Sequence, residues 1–335
     1  MILLLDGNTS LDFWRTVYPQ ERNLISAGVT PMNSPCASSA CDAWAMAPSW
    51  ITKEYLARGS NVLGVLYRDG ESTYRSTKTH RAREWKGEFP REAFYPLNNG
   101  VYISSPCFTF LQMARQLSFH QLIAYGDEIC GLYGFDKDSS RGMIARKEPR
   151  VTTEKLHRFL DAAYGQPGWK KAMKALPYII ERSASPMETL DAMLLSLPCR
   201  YGGYSIAVPT MNAEVPLSPE ARTLSWLSKC YADISWPPHK IDLEYQGHAD
   251  HLSPSDFEAD RRRINALRIM GYEVIELTHG QIADWRSFEI LAIHVAQVLG
   301  QRMRKRDLGS TKERKQLRVD VLAWNAAYGH PKKID

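Results

Sequence analysis

The sequence predicts a mixed α/β (α+β) protein. A mixed central sheet flanked by helices should occupy the second half, preceded by a separate N-terminal α+β domain. Three observations point there. The 335 residues are 44% hydrophobic and 24% charged, an ordinary globular balance that excludes disordered, collagen-like and coiled-coil chains. Short β-patterned runs alternate with apolar stripes of helical spacing along the whole chain. No 20–50-residue repeat is visible, which excludes a solenoid.

The elements follow in order. Met1-Ile2-Leu3-Leu4-Leu5 reads as a buried strand or the start of a packed helix. It stops at Asp6 without a basic flank, so it is not expected to be a signal peptide. No run approaches the roughly 18–20 apolar residues of a membrane helix, so no membrane partner is expected and the expected location is cytoplasmic. Residues 8–18 suggest a short helix capped by Asn8 or Ser10, with Leu11, Trp14 and Val17 on one side. Residues 29–50 are rich in Ser, Pro, Ala and Cys and show no period. Residues 61–68 read as a strand turning at Asp69-Gly70 into a hairpin with Ser72-Thr73-Tyr74. Residues 100–104 suggest another strand, and Ser105-Pro106 opens one helical stretch that lasts to Gly131. Residues 135–150 are polar and read as a linker, which sets domains at 1–150, 151–305 and a basic tail at 306–335.

The second half is more patterned. Thr152 starts a helix that Gly165-Gln166-Pro167-Gly168 breaks, and another follows to about Ile180. Ser185-Pro186-Met187-Glu188 has the composition of a helix start. Residues 201–209 are rich in Gly and Tyr. Residues 231–246 read as a hairpin turning at Pro237-Pro238-His239. In its second strand Ile241 and Leu243 face one way while Asp242, Glu244 and Gln246 face the other. Ser255 caps a helix that ends at Gly271. A strand at 272–277 and a long helix from about Ala283 to Arg304 complete the core.

The six cysteines form no C-x-x-C pair and are expected to be reduced core residues. Cys36 and Cys41 lack a second close pair, and His248-x-x-His251 lacks a third ligand at metal spacing, so no zinc is expected. The net charge is +5, but residues 302–318 alone carry eight basic side chains against Asp307 and Glu313. The rest of the chain is therefore nearly neutral. This basic segment is either a solvated helix face or a phosphate-binding patch. As a patch it would use Arg304, Lys305, Arg306, Lys312, Arg314 and Lys315.

Asp233 and Glu244 lie in adjacent strands across a short turn. Cross-strand side chains on one face sit about 5 Å apart, so the two carboxylates can point at one spot. They repel unless a proton or divalent cation lies between them, and oxygen ligands suit Mg²⁺ or Mn²⁺. Gln246, on the same face as Glu244, is placed to orient a metal-bound water. Taken alone, such an Asp is ordinarily a turn cap and such a Glu a solvated one. Asp260 and Arg263, at i and i+3 on a helix, read first as an ion pair. A phosphate contact is the other reading of Arg263.

The spacing Asp233-x10-Glu244-Tyr245-Gln246 resembles the PD-(D/E)XK nuclease signature. Glu244-Tyr245-Gln246-Gly247, the nearby histidines, Asp260-x-x-Arg263 and Leu267-x-x-x-Gly271-Tyr272-x-Val274 resemble its very-short-patch-repair endonuclease-like branch. That resemblance covers about residues 183–300 and implies a restriction-endonuclease-like core. It also matches Glu188 to an acidic residue on the first core helix; otherwise Glu188 is a plain first-turn Glu favoured by the helix dipole. The sequence departs from the pattern in three respects, at two positions. Gln246 stands where the superfamily usually has Lys. It also fills the position before the Gly that is usually Asp in this branch. Asp250 stands where the branch has its histidine, with His248 and His251 on either side. Ser105-Pro106, Leu111, Ala114 and Gly131-Leu132-Tyr133-Gly134 make the N-terminal half loosely similar to actinobacterial abortive-infection antitoxin-like proteins.

The resemblance implies metal-dependent hydrolysis of nucleic-acid phosphodiesters, with DNA as the expected partner. Asp233 and Glu244 would hold Mg²⁺ or Mn²⁺ with support from Glu188. Gln246 would position water, and His251 or His248 would assist proton transfer. The alternative is a DNA-binding regulator or antitoxin-like protein whose nuclease core is inactive.

Overall fold

The computed structural model describes residues 3–16, 43, 46–47, 62–68, 76–97, 100–246, 254–309 and 311–328. They divide into two compact units, 1–179 with 323–335, and 180–322. The division at 179/180 differs from the boundary read at 150/151, because the helices after residue 150 pack on the N-terminal ones.

In the first unit, β1 (Leu3–Leu5) runs directly into α1 (Gly7–Thr16). All three leucines of β1 are fully buried, as the apolar run requires. The helix begins earlier than its expected caps: the Thr9 and Ser10 amides donate to the Asp6 carbonyl. β2 (Leu63–Arg68), β3 (His80–Trp85), β4 (Phe94–Pro96) and β5 (Val101–Ser104) complete a sheet of order β3-β2-β1-β5-β4. β1 pairs antiparallel with β2 and parallel with β5, while β2 pairs parallel with β3. The expected partner of β2 at 72–74 lies outside the described residues.

The helix expected from 105 to 131 is two. α2 (Pro106–Met113) ends at Ala114, and α3 (Phe119–Ile129) starts at Ser118. Ser118 and Gln121 form a reciprocal capping box, which satisfies two otherwise unpaired backbone donors and makes a fresh start favourable. The expected linker holds β7 (Met143–Ala145), which pairs with β6 (Tyr133–Phe135) in an antiparallel ribbon. α4 (Thr153–Ala162), capped by Thr152, and α5 (Trp169–Ala175) follow. Trp85, Phe94 and Phe108 form an edge-to-face core, a favoured aromatic geometry. Among the described cysteines, Cys107, Cys130, Cys199 and Cys230 form no disulfide.

The second unit opens with α6 (Pro186–Ser196), then β8 (Thr210–Pro216), α7 (Pro219–Ser225), β9 (Lys229–Trp236) and β10 (Ile241–Gln246). After these come α8 (Pro254–Ile269), β11 (Glu273–Thr278), α9 (His279–Ala283), α10 (Trp285–Val298) and α11 (Lys312–Tyr328), whose residues from Ala323 on belong to the first unit. β8, β9 and β10 are antiparallel, and β11 runs parallel to β10, giving the mixed sheet β11-β10-β9-β8. The sequence pattern marks neither β8 nor α7. The long helix expected from Ala283 instead ends at Val298. Small residues (Ala213, Ala221, Ala232, Ala266) form a close-packed core with Val215, Cys230 and Leu267. Among the described residues no helix is long and apolar enough to cross a membrane.

Candidate functional site

The site is built by three elements of the second unit and one arginine. α6 supplies Glu188. Pro186 fits the first turn because its missing N–H has no partner to lose there. The Ser185 hydroxyl accepts the Glu188 amide at 3.1 Å, and Glu188 Oε2 accepts the Ala184 amide at 2.8 Å. Glu188 is thus both a first-turn cap and a buried acid, 6% exposed. Burial raises its carboxyl to about 7, with Glu244 adding to the rise and the Ala184 and Ser185 bonds opposing it.

β9 and β10 supply the remaining acids. Their register places Asp242 opposite Ser235 and Leu243 opposite Ile234. Continued by one residue, it sets Glu244 beside Asp233. β10 is buried on both faces from Ile241 to Glu244, so Glu244 is not a half-exposed, solvated strand residue.

Arg263 on α8 binds this group. Its Nη1 donates to Glu244 Oε1 and its Nη2 to Glu244 Oε2, both at 2.6 Å. The same guanidinium donates to Asp260 Oδ1 at 2.7 Å and to the Tyr231 carbonyl at 3.0 Å, and lies 3.9 Å from Asp233 Oδ1. The expected Asp260–Arg263 pair is present, but Glu244 is the arginine's main partner. With these donors committed to protein acceptors, the arrangement does not present Arg263 as a phosphate contact.

The charges do not balance. Glu188, Asp233, Asp242, Glu244 and Asp260 face one guanidinium. Burial alone would raise Glu244, but the bonds and charge of Arg263, together with Asp242 and Asp233, outweigh it and hold the carboxyl below its ordinary value. Burial, then repulsion from Glu244 and Glu188, holds Asp233 well above its ordinary value. Burial, then repulsion from Glu244, pushes Asp242 up to about 10. Among the described residues no donor serves either oxygen of Asp242, so it is stable in its protonated form. Excess buried acid of this kind is neutralised by protons or by a cation.

The donor chemistry fits a hard divalent cation: carboxylate oxygens and no sulfur ligand. The spacing as it stands is less complete. Among the described residues no three His, Cys, Asp or Glu side chains are gathered closely enough to hold a metal ion. Arg263 takes both oxygens of the best-placed ligand.

Gln246 closes β10 opposite Thr278. His248 and His251 lie outside the described residues. In the basic segment, Arg304, Lys305, Lys312 and Lys315 are exposed; the Arg306 side chain is outside the description. Arg314 corrects the expectation of a solvated phosphate contact. It is 2% exposed, donates to the carbonyls of Gly203, Asp307 and Gly309, and lies over the Tyr204 ring at 3.8 Å. It fastens the start of α11 to the unit.

Two further buried acids belong to this region, neither of them among the sequence-predicted site residues. Asp242 shares the Glu244 face of β10, and strand alternation alone marks it. Asp191 lies one turn beyond Glu188, fully buried with neither oxygen hydrogen-bonded. Burial holds it far above its ordinary value against the pull of Arg318. Comparison with family models, curated proteins and solved structures found no match.

Proposed function

We propose that residues 180–322 form a restriction-endonuclease-like core that hydrolyses nucleic-acid phosphodiesters with Mg²⁺ or Mn²⁺. The carrying observation is the group of buried Glu188, Asp242 and Glu244 with half-buried Asp233 around one guanidinium. The element order supports the reading: a helix, three antiparallel strands with a short helix between the first two, a helix, and a strand parallel to the third. Asp233 and Glu244 would hold the metal with help from Glu188. A bound divalent cation would acidify its water and stabilise charge on the reacting phosphate. Asp242 holds a proton beside Glu244 and lessens repulsion within the group. Arg263 keeps Glu244 ionised and aligned. Gln246, at the open end of β10, would orient water.

One arrangement favours a second reading, a DNA-binding regulator or antitoxin-like protein with an inactive core. Arg263 already neutralises Glu244, and Gln246 carries no charge where the superfamily has Lys. A Mn²⁺ titration on wild type and on Asp233→Asn/Glu244→Gln separates the two. Metal-induced stabilisation with strand cleavage, both lost in the double variant, is the expected result. DNA binding with neither metal uptake nor cleavage would establish the second reading.

A further inference from the structure

The first unit carries a separate polar cavity. It has a volume of about 420 Å³ and is lined by Asp6, Arg81, Arg83, Trp85, Gln112 and Arg115, among others. That volume is in the range of small-molecule sites. The sequence builds it simply. Alternation along β3 puts Arg81, Arg83 and Trp85 on one side, and the parallel register sets Gly64 and Leu66 of β2 beside Arg81 and Arg83. β1 ends at its floor in Asp6.

Asp6 is fully buried, and neither carboxylate oxygen receives a hydrogen bond. Arg83 Nη1 lies 3.5 Å from Asp6 Oδ2. It fits because residue 64 is glycine: a Cβ there would lie 2.7 Å from the Asp6 carbonyl oxygen and 2.8 Å from Oδ1. Trp85 is 1% exposed, and its indole N–H has no acceptor. Buried polar atoms are nearly always satisfied. Here the lining of one cavity combines a buried carboxylate ion-paired to Arg83 without a hydrogen bond and an indole donor without an acceptor. Around them stand three guanidinium groups against the carboxylates of Asp6 and Glu84.

We infer that this cavity binds a phosphate ester of a polyhydroxylated small molecule, a sugar phosphate or a nucleotide. Guanidinium forks match phosphate oxygens. Asp6, an acceptor beside three cations, suits hydroxyl donors and not a cationic ligand. The inference does not depend on the nuclease reading, because every residue in it belongs to the other unit.

Calorimetric titration of the full chain tests it, with ribose 5-phosphate, adenosine monophosphate, inorganic phosphate and ribose as probes. At least one ester should bind more tightly than phosphate, and ribose should not bind. Ribose 5-phosphate alone identifies a sugar-phosphate pocket; both esters identify a nucleotide pocket. Arg115→Gln, at an exposed position, should weaken ester and phosphate by about tenfold or more, the scale of one hydrogen bond to a charged group. Asp6→Asn should weaken the esters and leave phosphate unchanged. The Asp233→Asn/Glu244→Gln chain should bind the esters like wild type. Esters that bind no tighter than phosphate, or that bind Arg115→Gln as well as wild type, overturn the proposal.

Discussion

Arg263 weighs most on the protonation of its neighbours: its bonds and charge, with hydrogen bonds from Asp242 and Asp233, hold Glu244 ionised against burial. Replacing Arg263 with Met should leave a buried carboxylate without its cation and destabilise the apo protein by about 3–5 kcal/mol. A divalent cation should restore part of the loss, so the Mn²⁺-induced rise in Tm should be larger in this variant than in wild type. An equal or smaller rise would show that arginine and metal do not compete for Glu244. Glu188 gives a second view of the same group. Its folded pKa, about 7, lies above the ordinary 4.5. Its contribution to stability is therefore full below pH 4.5 and is lost as pH rises through 7. Glu188→Gln should flatten the decline in apo stability across that window. A decline of unchanged slope, followed by chemical denaturation at several pH values, would remove Glu188 from the coupled group.

At the scale of elements, the basic segment separates into two roles. Arg314 holds carbonyls together, so Arg314→Ala should destabilise by at least about 2 kcal/mol, through the acceptors left unpaired. Replacing the exposed Arg304, Lys305, Lys312 and Lys315 with Gln should leave stability nearly unchanged. If the segment meets DNA, that replacement should lower the salt slope of binding by about 0.9 for each phosphate no longer neutralised. Identical slopes would make these residues a solvated face only. Sequence placed the charge run correctly but not the burial of Arg314, because composition cannot show which donors find carbonyls. The paired strands β9 and β10 were legible from alternation and the Pro237-Pro238 turn. The break between α2 and α3 had a signal too, the Ser118-x-x-Gln121 box, which the apolar stripe through Leu117 and Leu122 concealed. β8 and α7 went unmarked because each is seven residues long and bounded by proline. The Ser218 cap with Pro219 behind it was their one local cue.

At the scale of the whole chain, the α+β class followed from local pattern, and its division did not. The boundary depends on where the helices after residue 150 pack, a tertiary choice that the polar stretch at 135–150 does not encode. The acidic group shows the same limit: the sequence offered Asp233 and Glu244, while burial brought in Asp242 and supplied Arg263 as their counter-charge. This surplus of buried acid makes metal uptake a proton exchange. Glu188 and Asp233 hold protons above their ordinary range, so a cation that binds them must displace protons, and it binds more tightly as pH rises. The Tm increment from saturating Mn²⁺ should therefore be small near pH 5 and grow toward pH 8, while apo stability falls over the same interval. A ligand at a hundredfold excess over its Kd contributes about 2.7 kcal/mol, enough to read by calorimetry. Asp233→Asn and Glu244→Gln should each abolish the increment, and Asp242→Asn, which changes a proton-holding neighbour, should keep it. An increment independent of pH, or one that survives both ligand variants, would place the metal elsewhere on the chain.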